Sequence, residues 1–556
     1  MGKGIFGTLH PFLEGGAVYG RKVANTAFMQ ALLTADPFDT YHFFVHDPAS
    51  LRALLEKRQD LPAVTRGATV VMSRQELPAA LRHTDYHCFH LSDPVSGQVA
   101  MAALRNALAP TLFPVTSINH SLSYTEYALR LLPHIWAGTG PCDAIGATSR
   151  AAARVLAGYF AQLREGYALP ETWGQPQLEI IPLGVDTERF TPPSPAVRVR
   201  ARTALGVAAE DVVCLLHGRI SVDDKMDALP LLFALHRVMQ VQPEASPVLV
   251  ISGAVRSGDA YPQTLWAAAQ ALGLRLQLMP DPDEAQVQEL LAAADIFLSL
   301  SDNIQESFGL TVLEAGAAGL PAIVSDWDGY RDLVQDGTTG FLVPTLAPAA
   351  TPLLDVEAAC LPDNVQQLWR AQQTVVDVPA LARQLQVLLM HIGVRKRMGQ
   401  AAWQHVLAHF SWPVVIDRWI ACWERLRQTV LTAEQEASLR SARHPLSLDL
   451  ARLFGWHASA LLDSEGHVAA RPCVVRTSQR GMRVRAGQEF SVCWPGLENV
   501  MQGTDWRQIL VLARRPISVT ALLERLCSSD HSCESAIFTV LWALKQDLLE
   551  CALLSD

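Results

Sequence analysis

The chain has 556 residues, of which 49% are hydrophobic and 18% charged, and its formal net charge is −10. This length suggests roughly three to four domains, and the composition excludes a disordered or fibrous protein. The acidic balance removes the global basic surface that nucleic-acid binding requires, which argues against a nucleic-acid partner.

Short apolar runs alternate with amphipathic stretches along most of the chain, which is typical of a parallel sheet covered by helices on both faces. The first set of predicted strands is Tyr41–Val45, Ala68–Met72, Tyr86–Leu91, Phe113–Ile118, Ala144–Thr148 and Leu178–Pro182. After a proline-rich turn a second set follows: Val212–Leu216, Pro247–Ser252, Arg275–Leu278, Ile296–Leu300 and Ala322–Ser325. Two such units predict an α/β protein with two Rossmann-like domains that face a cleft.

The rest of the chain is organised differently. Residues 345–376 have no clear period and are predicted to form an insert in the second unit. Residues 413–430 predict a long helix that returns to the first unit. From residue 431 the balance of acidic, basic and apolar residues changes, which predicts a small α+β accessory domain, with a winged-helix-like form as one option. Its predicted short strands are Val474–Thr477, Arg483–Arg485 and Phe490–Trp494. We therefore predict domains 1–185, 186–430 and 431–556, the last a packing appendage or a dock for a protein partner.

The stretch from Asp302 to Gly319 carries the clearest chemical signal. A predicted strand leads into a loop with Glu306, and Phe308-Gly309-Leu310 then opens a helix whose first N–H groups suit an anion such as phosphate. Gly309 lets a ligand approach the backbone closely, and Glu314 follows about one turn into the helix. The pattern predicts a phosphate-binding helix start in the second domain.

A second signal lies directly after the predicted strand Val212–Leu216. His217-Gly218-Arg219 and then Lys225 follow the carboxyl end of that strand. Arginine offers a planar fork to phosphate, and lysine offers a point charge. Such residues alone are more often solvated surface, but beside a phosphate-binding helix start they indicate a second contact to the same anion.

Taken in order, these motifs resemble those of the retaining GT-B glycosyltransferases of family four, the glycosyl transferases group 1. Glu306 to Glu314 is similar to the family's Glu-x7-Glu signature, and Gly218-Arg219 with Lys225 is similar to its phosphate-binding loop. Further matching stretches are Gly15-Gly16, Ile181 to Asp186 with Phe190, Ser325 to Val343, and Met398 to Trp412. The resemblance covers about residues 4–430 and implies the GT-B fold for this part of the chain.

The resemblance also implies roles for the matching residues. Arg219 and Lys225 would neutralise the diphosphate of a nucleotide-sugar donor as it leaves. Glu306 would hold hydroxyl groups of the donor sugar, and Glu314 would hold the two ribose hydroxyls. The predicted catalytic residues are Glu306, His120, Arg219 and Lys225. The other predicted donor-binding residues are Gly15, Gly16, Ser307, Phe308, Gly309 and Leu310, and roles follow for the whole set. Of these, the glycines would close a loop over the phosphate, the helix-start amides would bind phosphate or sugar, and His120 would face the donor sugar.

The implied reaction is the transfer of a hexose with retention of configuration, with a UDP-sugar as the first choice of donor. Positive side chains and a helix start would supply the electrostatics, so we expect no metal and no cofactor. The acceptor stays open between a glycan, a lipid-linked sugar and a protein. The chain departs from the family pattern at Met226, where glycine is common, and at Asp332, where glutamate is usual. These departures leave the donor sugar and the loop geometry open.

Two alternatives to this interpretation stay open. One is a non-catalytic GT-B scaffold or regulator that acts through residues 431–556, although the intact Glu306, Glu314, Arg219 and Lys225 favour an enzyme. The other is a different GT-B enzyme, such as a phosphorylase or a sugar-nucleotide epimerase. The absence of a long apolar run and the scattered cysteines predict a cytoplasmic protein, with peripheral membrane association left open.

Overall fold

The computed structural model describes residues 4–13, 20–501, 504–527 and 530–551. The chain divides into two compact units, Met1–His444 and Pro445–Asp556. The boundaries predicted at 185/186 and 430/431 stay predictions. Among the described residues, no helix combines the length and the apolar character needed to cross a membrane.

Seven strands of the described residues form the first sheet, in the order β3-β2-β1-β4-β5-β6-β7, and all neighbouring pairs are parallel. The strands are β1 Ile5–Thr8, β2 Thr40–Val45, β3 Thr69–Ser73, β4 Tyr86–Leu91, β5 Val115–Ile118, β6 Asp143–Ala147 and β7 Gln177–Ile180. The six predicted strands are confirmed with small shifts at their ends. The prediction missed β1, because this central strand is only four residues long and contains Gly7.

Helices follow most of these strands, as a parallel sheet requires. They are α1 Gly20–Ala35, α2 Pro48–Glu56, α3 Pro62–Thr65, α4 Leu77–His83, α5 Gln98–Leu108, α6 Tyr127–Leu131 and α7 Arg150–Gly166. The start of α7 is fixed by Ser149, whose hydroxyl accepts the N–H of Ala152 at 3.0 Å. Because α7 starts directly after β6, its first turn lies at the carboxyl edge of the sheet.

The second sheet has six strands among the described residues, all parallel, in the order β10-β9-β8-β11-β12-β13. They are β8 Val212–His217, β9 Pro247–Gly253, β10 Leu276–Pro280, β11 Ile296–Ser299, β12 Ala322–Ser325 and β13 Gly340–Val343. The five predicted strands are confirmed, and β13 adds an edge. The helices that cover this sheet begin with α8 Pro195–Leu205, α9 Leu229–Val241, α10 Tyr261–Ala271, α11 Glu284–Ala293, α12 Leu310–Ala317 and α13 Tyr330–Leu333.

The predicted insert has its own helices, and its two ends pair with each other. Its ends pair as a short antiparallel ladder, β14 Thr345–Leu346 with β15 Val375–Val376. Between them lie α14 Pro352–Glu357 and α15 Asp363–Ala371. The sequence showed no period here because both helices are short, at six and nine residues.

The last helices of the first unit connect its two sheets. They are α16 Val378–Met390, α17 Ile392–His409, α18 Trp412–Arg427 and α19 Ala433–Ser441. Trp423 of α18 is buried, and its indole N–H donates to Thr116 of β5 at 3.0 Å. Arg427 at the end of α18 donates to Asp85 at 2.9 Å. Helix α18 therefore contacts β5 and the residue before β4 of the first sheet.

The second unit is a small α+β structure. Its strands are β16 His467–Val468, β17 Arg471–Pro472, β18 Val474–Thr477, β19 Ile517–Ser518 and β20 Leu549–Cys551. Its helices are α20 Leu450–Phe454, α21 Gln479–Arg485, α22 Leu497–Val500, α23 Trp506–Leu512, α24 Val519–Leu526 and α25 Asp530–Lys545. The strand predicted at Val474–Thr477 is confirmed as β18. The strand predicted at Arg483–Arg485 is wrong, since these residues end α21, and the one predicted at Phe490–Trp494 is wrong, since these residues form a loop. The hydroxyl of Ser478 caps this helix by accepting the N–H of Gly481 at 2.8 Å.

Candidate active site

The two strongest sequence motifs meet because their strands are neighbours. Strand β8 pairs in parallel with β11, with Leu216 opposite Leu298. The carboxyl ends of both strands therefore lie at one edge of the second sheet, where ligands bind in folds of this kind. The loop after β8 carries Arg219 and Lys225, and the loop after β11 carries Glu306.

Lys225 and Glu306 form an ion pair at this edge of the second sheet. The ammonium of Lys225 donates to Oε2 of Glu306, and each side chain is only 12% exposed. The hydroxyl of Tyr330 donates to the same oxygen at 3.2 Å. The other carboxylate oxygen accepts the backbone N–H groups of Ser307 and Phe308, each at 3.3 Å. Glu306 is thus held on both oxygens, by one cation and three neutral donors.

These contacts keep Glu306 ionised. Burial by itself raises the pKa of this carboxyl, but the charge of Lys225 and the hydrogen bonds from Lys225, Phe308 and Tyr330 outweigh it, so the pKa lies below its ordinary value. A carboxylate with two accepting oxygens suits the binding of sugar hydroxyl groups.

Arg219 has an acidic neighbour in its own loop. Its guanidinium donates to Asp224 at 2.6 Å, and its side chain is 48% exposed. Arg256 from the loop after β9 pairs with Asp223 at 2.7 Å. Arg219 and Arg256 both line a cavity of about 490 Å³. The two arginines are about half exposed, so a phosphate in this cavity can reach both guanidinium groups, while Asp223 and Asp224 are only 14% and 16% exposed.

The start of α12 requires glycine at position 309. Gly309 has φ +112°, and a Cβ there would lie 2.5 Å from Cε1 of Tyr330. Phe308 before it is buried, and Leu310 after it begins the helix and is half-buried. The ring of Tyr330 therefore leaves room only for glycine at this predicted donor contact. The sequence analysis did not single out Tyr330.

Glu314 lies inside α12 as predicted. Burial raises its pKa to about 7, while the charge of Arg189 lowers it and that of Glu284 raises it. The side chain is therefore close to half-ionised at neutral pH. Arg189, which stacks over the ring of Phe190 at 5.0 Å, is a second neighbour that sequence reasoning missed.

His120 comes from the first sheet, directly after β5. Its Nε2 lies 3.0 Å from the carbonyl oxygen of Ser92 and 3.0 Å from Oδ1 of Asn25. A carbonyl only accepts, so Nε2 carries the proton and Nδ1 is the ring's acceptor. Burial lowers the pKa of His120 to about 4, and the ring is therefore neutral at pH 7.

Ser307 joins the two sheets at the site. Its hydroxyl donates to the carbonyl of His120. Its own carbonyl accepts the hydroxyl of Ser149 at 3.1 Å and that of Thr148 at 3.4 Å. The structure thus brings His120, Ser307 and Glu306 together at the edges of both sheets.

The insert, residues 345–376, also contacts the loops around this site. Oδ1 of Asp363, at the start of α15, accepts the N–H of Thr125 at 3.0 Å. Gln367 donates to Ser123 at 3.1 Å and to Gln305 at 3.2 Å, and Asn364 donates to Asp223 at 3.1 Å. The insert therefore contacts loops that follow strands of both sheets, which its sequence gave no means to detect.

The predicted donor contacts Gly15 and Gly16 lie outside the described residues.

The expectation that the site binds no metal did not consider two Asp-x-Asp stretches of the sequence, Asp281-Pro282-Asp283 and Asp326-Trp327-Asp328. Asp283 caps α11, and Asp326 pairs with Arg331 at 2.6 Å. Within the described ranges, no group of three or more His, Cys, Asp or Glu side chains is arranged to hold a metal ion.

Part of the chain is similar to known glycosyltransferases. Residues 230–351 match the family model described as glycosyl transferases group 1. A D-inositol 3-phosphate glycosyltransferase from Geodermatophilus obscurus is 32% identical over 263 residues, which are 46% of this chain and 49% of that protein. A phosphatidyl-myo-inositol mannosyltransferase from Mycobacterium tuberculosis is 29% identical over 286 residues, 51% of this chain and 65% of that protein. The first of these relatives is matched over only about half of its length.

Two solved structures share the fold. HepE from Anabaena, in complex with UDP, superposes with a TM-score of 0.50 at 17% identity and covers 76% of this chain and 99% of that one. A glycosyltransferase from Rickettsia africae superposes with a TM-score of 0.51 at 15% identity and covers 77% of this chain and 99% of that one. The predicted GT-B architecture is thereby confirmed.

Proposed function

We propose that the chain belongs to the glycosyl transferases group 1 and is a retaining glycosyltransferase that uses a nucleotide-diphosphate sugar. The observation that carries this proposal is the buried pair of Lys225 and Glu306 at the start of α12. The pair holds one cation for a phosphate and one carboxylate for sugar hydroxyls, and each neutralises the other until a donor binds.

In this proposal the donor diphosphate takes over Lys225 and Arg219 from Glu306 and Asp224. Glu306 then accepts hydroxyl groups of the sugar, and Glu314 accepts those of the ribose. Ser307 and the amides of Phe308, Gly309 and Leu310 contact phosphate or sugar, and neutral His120 faces the sugar. The loop with Gly15 and Gly16 completes the phosphate site. This assigns donor binding to residues 186–430 and the acceptor side to residues 1–185.

The chemical step follows from these contacts. The bond from the sugar C1 to the diphosphate oxygen breaks, and a bond from C1 to the acceptor oxygen forms on the same face. The acceptor hydroxyl gives its proton to the leaving phosphate oxygen. Lys225 and Arg219 stabilise the charge that develops on that phosphate, so the step is proposed to need no metal. Glu306 positions the sugar and is not a nucleophile.

UDP is the proposed nucleotide because HepE, which shares the fold, was crystallised with UDP. The accessory domain 431–556 is proposed to bind a protein partner. We keep the cytoplasm as the proposed location, since the ten cysteines are scattered along the sequence. Peripheral association with a membrane stays open.

The test is a thermal-shift and hydrolysis panel of nucleotide sugars with UDP, GDP or ADP as the nucleotide. A donor should stabilise the wild-type protein and be slowly hydrolysed by it. Glu306→Gln should still be stabilised by the free nucleotide but should lose discrimination between donors that differ only in the sugar. If no nucleotide or nucleotide sugar stabilises the wild type, the enzyme proposal fails and a scaffold role replaces it.

A further inference from the structure

A cavity of about 470 Å³ opens beside Glu306, and its lining includes neither Arg219 nor Lys225. One wall comes from α7 with Tyr159 and Gln162, and another from the loop 122–125. The insert supplies the remaining side through Gln366 and Arg370 of α15. This volume lies within the range of small-molecule sites, roughly 300–1,000 Å³.

The charged groups of this cavity are already neutralised. Glu306 is paired with Lys225. Arg370 donates to Asp355 at 2.8 Å and to Thr351 at 3.0 Å, both within the insert. Asp328 is also in the lining, and burial raises its pKa to about 8, so it is mostly protonated at pH 7. No cation among the described lining residues is left over for an anionic ligand.

The arginines beyond the cavity do not change this balance. Asp328 also lines an adjoining cavity of about 240 Å³ with Arg150, Arg154 and Arg331. Arg150 is bound to Asp332 at 2.5 Å, and Arg331 is bound to Asp326 at 2.6 Å. Arg154 is exposed to solvent. A phosphate in the larger cavity would therefore have to displace Asp355 from Arg370 to gain a counter-charge there.

The cavity also offers uncharged polar side chains. Gln366 is 5% exposed, and its amide nitrogen donates to Thr125 at 2.5 Å and to Asp363 at 2.9 Å. These bonds fix the side chain before any ligand binds and leave its Oε1 as an acceptor. The hydroxyl of Tyr159 donates to the carbonyl of Leu122 at 2.8 Å. Gln162 offers a further amide on the exposed side. The fixed neutral acceptors of Gln366 and Tyr159, together with the amide of Gln162, match the hydroxyl groups of a sugar ring.

We propose that this cavity is the acceptor site and that the acceptor is a neutral carbohydrate, with Gln162 of α7 and Gln366 of the insert as specificity-determining residues. This inference rests on the proposed transferase function and names the class of its acceptor. The insert then serves to complete the acceptor site, which explains why it folds across the loop 122–125.

The experiment uses the full chain and whichever nucleotide sugar it hydrolyses. Neutral sugars (glucose, mannose, N-acetylglucosamine, maltose) are compared with glucose 6-phosphate and mannose 6-phosphate at equal concentration. Transfer products and the rate of donor hydrolysis are both measured. We expect at least one neutral sugar to accept the donor residue or to change the hydrolysis rate, and each phosphorylated sugar to be at least tenfold poorer than its neutral counterpart.

Variants test the two glutamines. Gln366→Ala should raise the acceptor KM at least fivefold without raising the donor KM, whereas Gln373→Ala, which is exposed on the same insert, should change neither. Gln162→Arg should improve glucose 6-phosphate relative to glucose at least tenfold. If donor hydrolysis occurs but phosphorylated sugars are preferred, or no neutral sugar has any effect, the acceptor inference is overturned while the transferase proposal stands. If no donor is bound or hydrolysed, both fail.

Discussion

Lys225 and Glu306 lie 81 residues apart in the chain and form an ion pair that is almost sealed from solvent. Each comes from the loop after one of two neighbouring strands, β8 and β11. The pair stores the two charges that the proposed reaction needs in a mutually neutral form. In this account the donor replaces each of these side chains as the other's partner, so neither Lys225 nor Glu306 is an unpaired charge before the donor binds.

The pair makes a double-variant prediction for stability. Lys225→Met or Glu306→Gln alone should destabilise the first unit by roughly 3–5 kcal/mol, because each leaves a buried group without its partner. The combined variant should be more stable than the sum of the two losses allows, while remaining inactive. Urea denaturation followed by tryptophan fluorescence measures this coupling. Strictly additive losses would show that the two side chains do not interact.

Gly309 gives a second prediction about stability. Gly309→Ala combines a positive φ with a Cβ placed 2.5 Å from the ring of Tyr330, so it should lower the melting temperature and abolish donor binding. Gly337→Ala is the matched control, since its φ is +71° but no atom lies within 4 Å of the added Cβ. The control carries only the backbone cost, about 1 kcal/mol. Equal losses for both variants would remove the role assigned to Tyr330.

Donor affinity should depend on pH through Glu314. Burial raises the pKa of this carboxyl to about 7. Below that pH the group is protonated and accepts hydrogen bonds poorly, and above it the carboxylate accepts both ribose hydroxyls. We therefore expect the donor KM to fall several-fold between pH 6 and pH 8. Glu314→Gln should flatten this profile; a variant that keeps the wild-type slope would assign the titration to another group.

The insert should hold the loop 122–125 in place. Asp363→Ala removes the acceptor of the Thr125 N–H, so hydrogen exchange of the loop should become at least tenfold faster. Glu357→Ala changes an exposed acid of the same insert and should leave the exchange unchanged. Mass spectrometry of the peptide that contains Thr125 reads this directly. Unchanged exchange in Asp363→Ala would mean that the loop is fixed by other contacts.

The sequence predicted most of the architecture because buried parallel strands are continuous apolar runs. It located Arg219, Lys225, Glu306 and Glu314 through motif spacing. It could not show that Lys225 pairs with Glu306, since that contact depends on the paths of two loops. Tyr330 was missed for the same reason, because its hydroxyl matters only where it meets Glu306.

The insert and the accessory unit show a different limit. Helix α15 is nine residues long, and its amides and acid read as an ordinary polar surface. Their function in holding loops of both sheets appears only when the chain is folded. Part of helix α21 was predicted as a strand because Val484 lies between two arginines. The contact that favours a helix here is a single hydrogen bond, from the N–H of Gly481 to the hydroxyl of Ser478.

The most direct test of the central claim is donor turnover by the wild type, Lys225→Met and Lys57→Met, followed by proton NMR in the presence of EDTA. Lys57 is an exposed lysine of the first domain, so Lys57→Met controls for the loss of a charge. We predict equal turnover by the wild type and Lys57→Met, with the new sugar product in the anomeric configuration of the donor, and turnover at least about 10²-fold slower in Lys225→Met. Wild-type turnover by Lys225→Met, or a product of inverted configuration, would contradict the account.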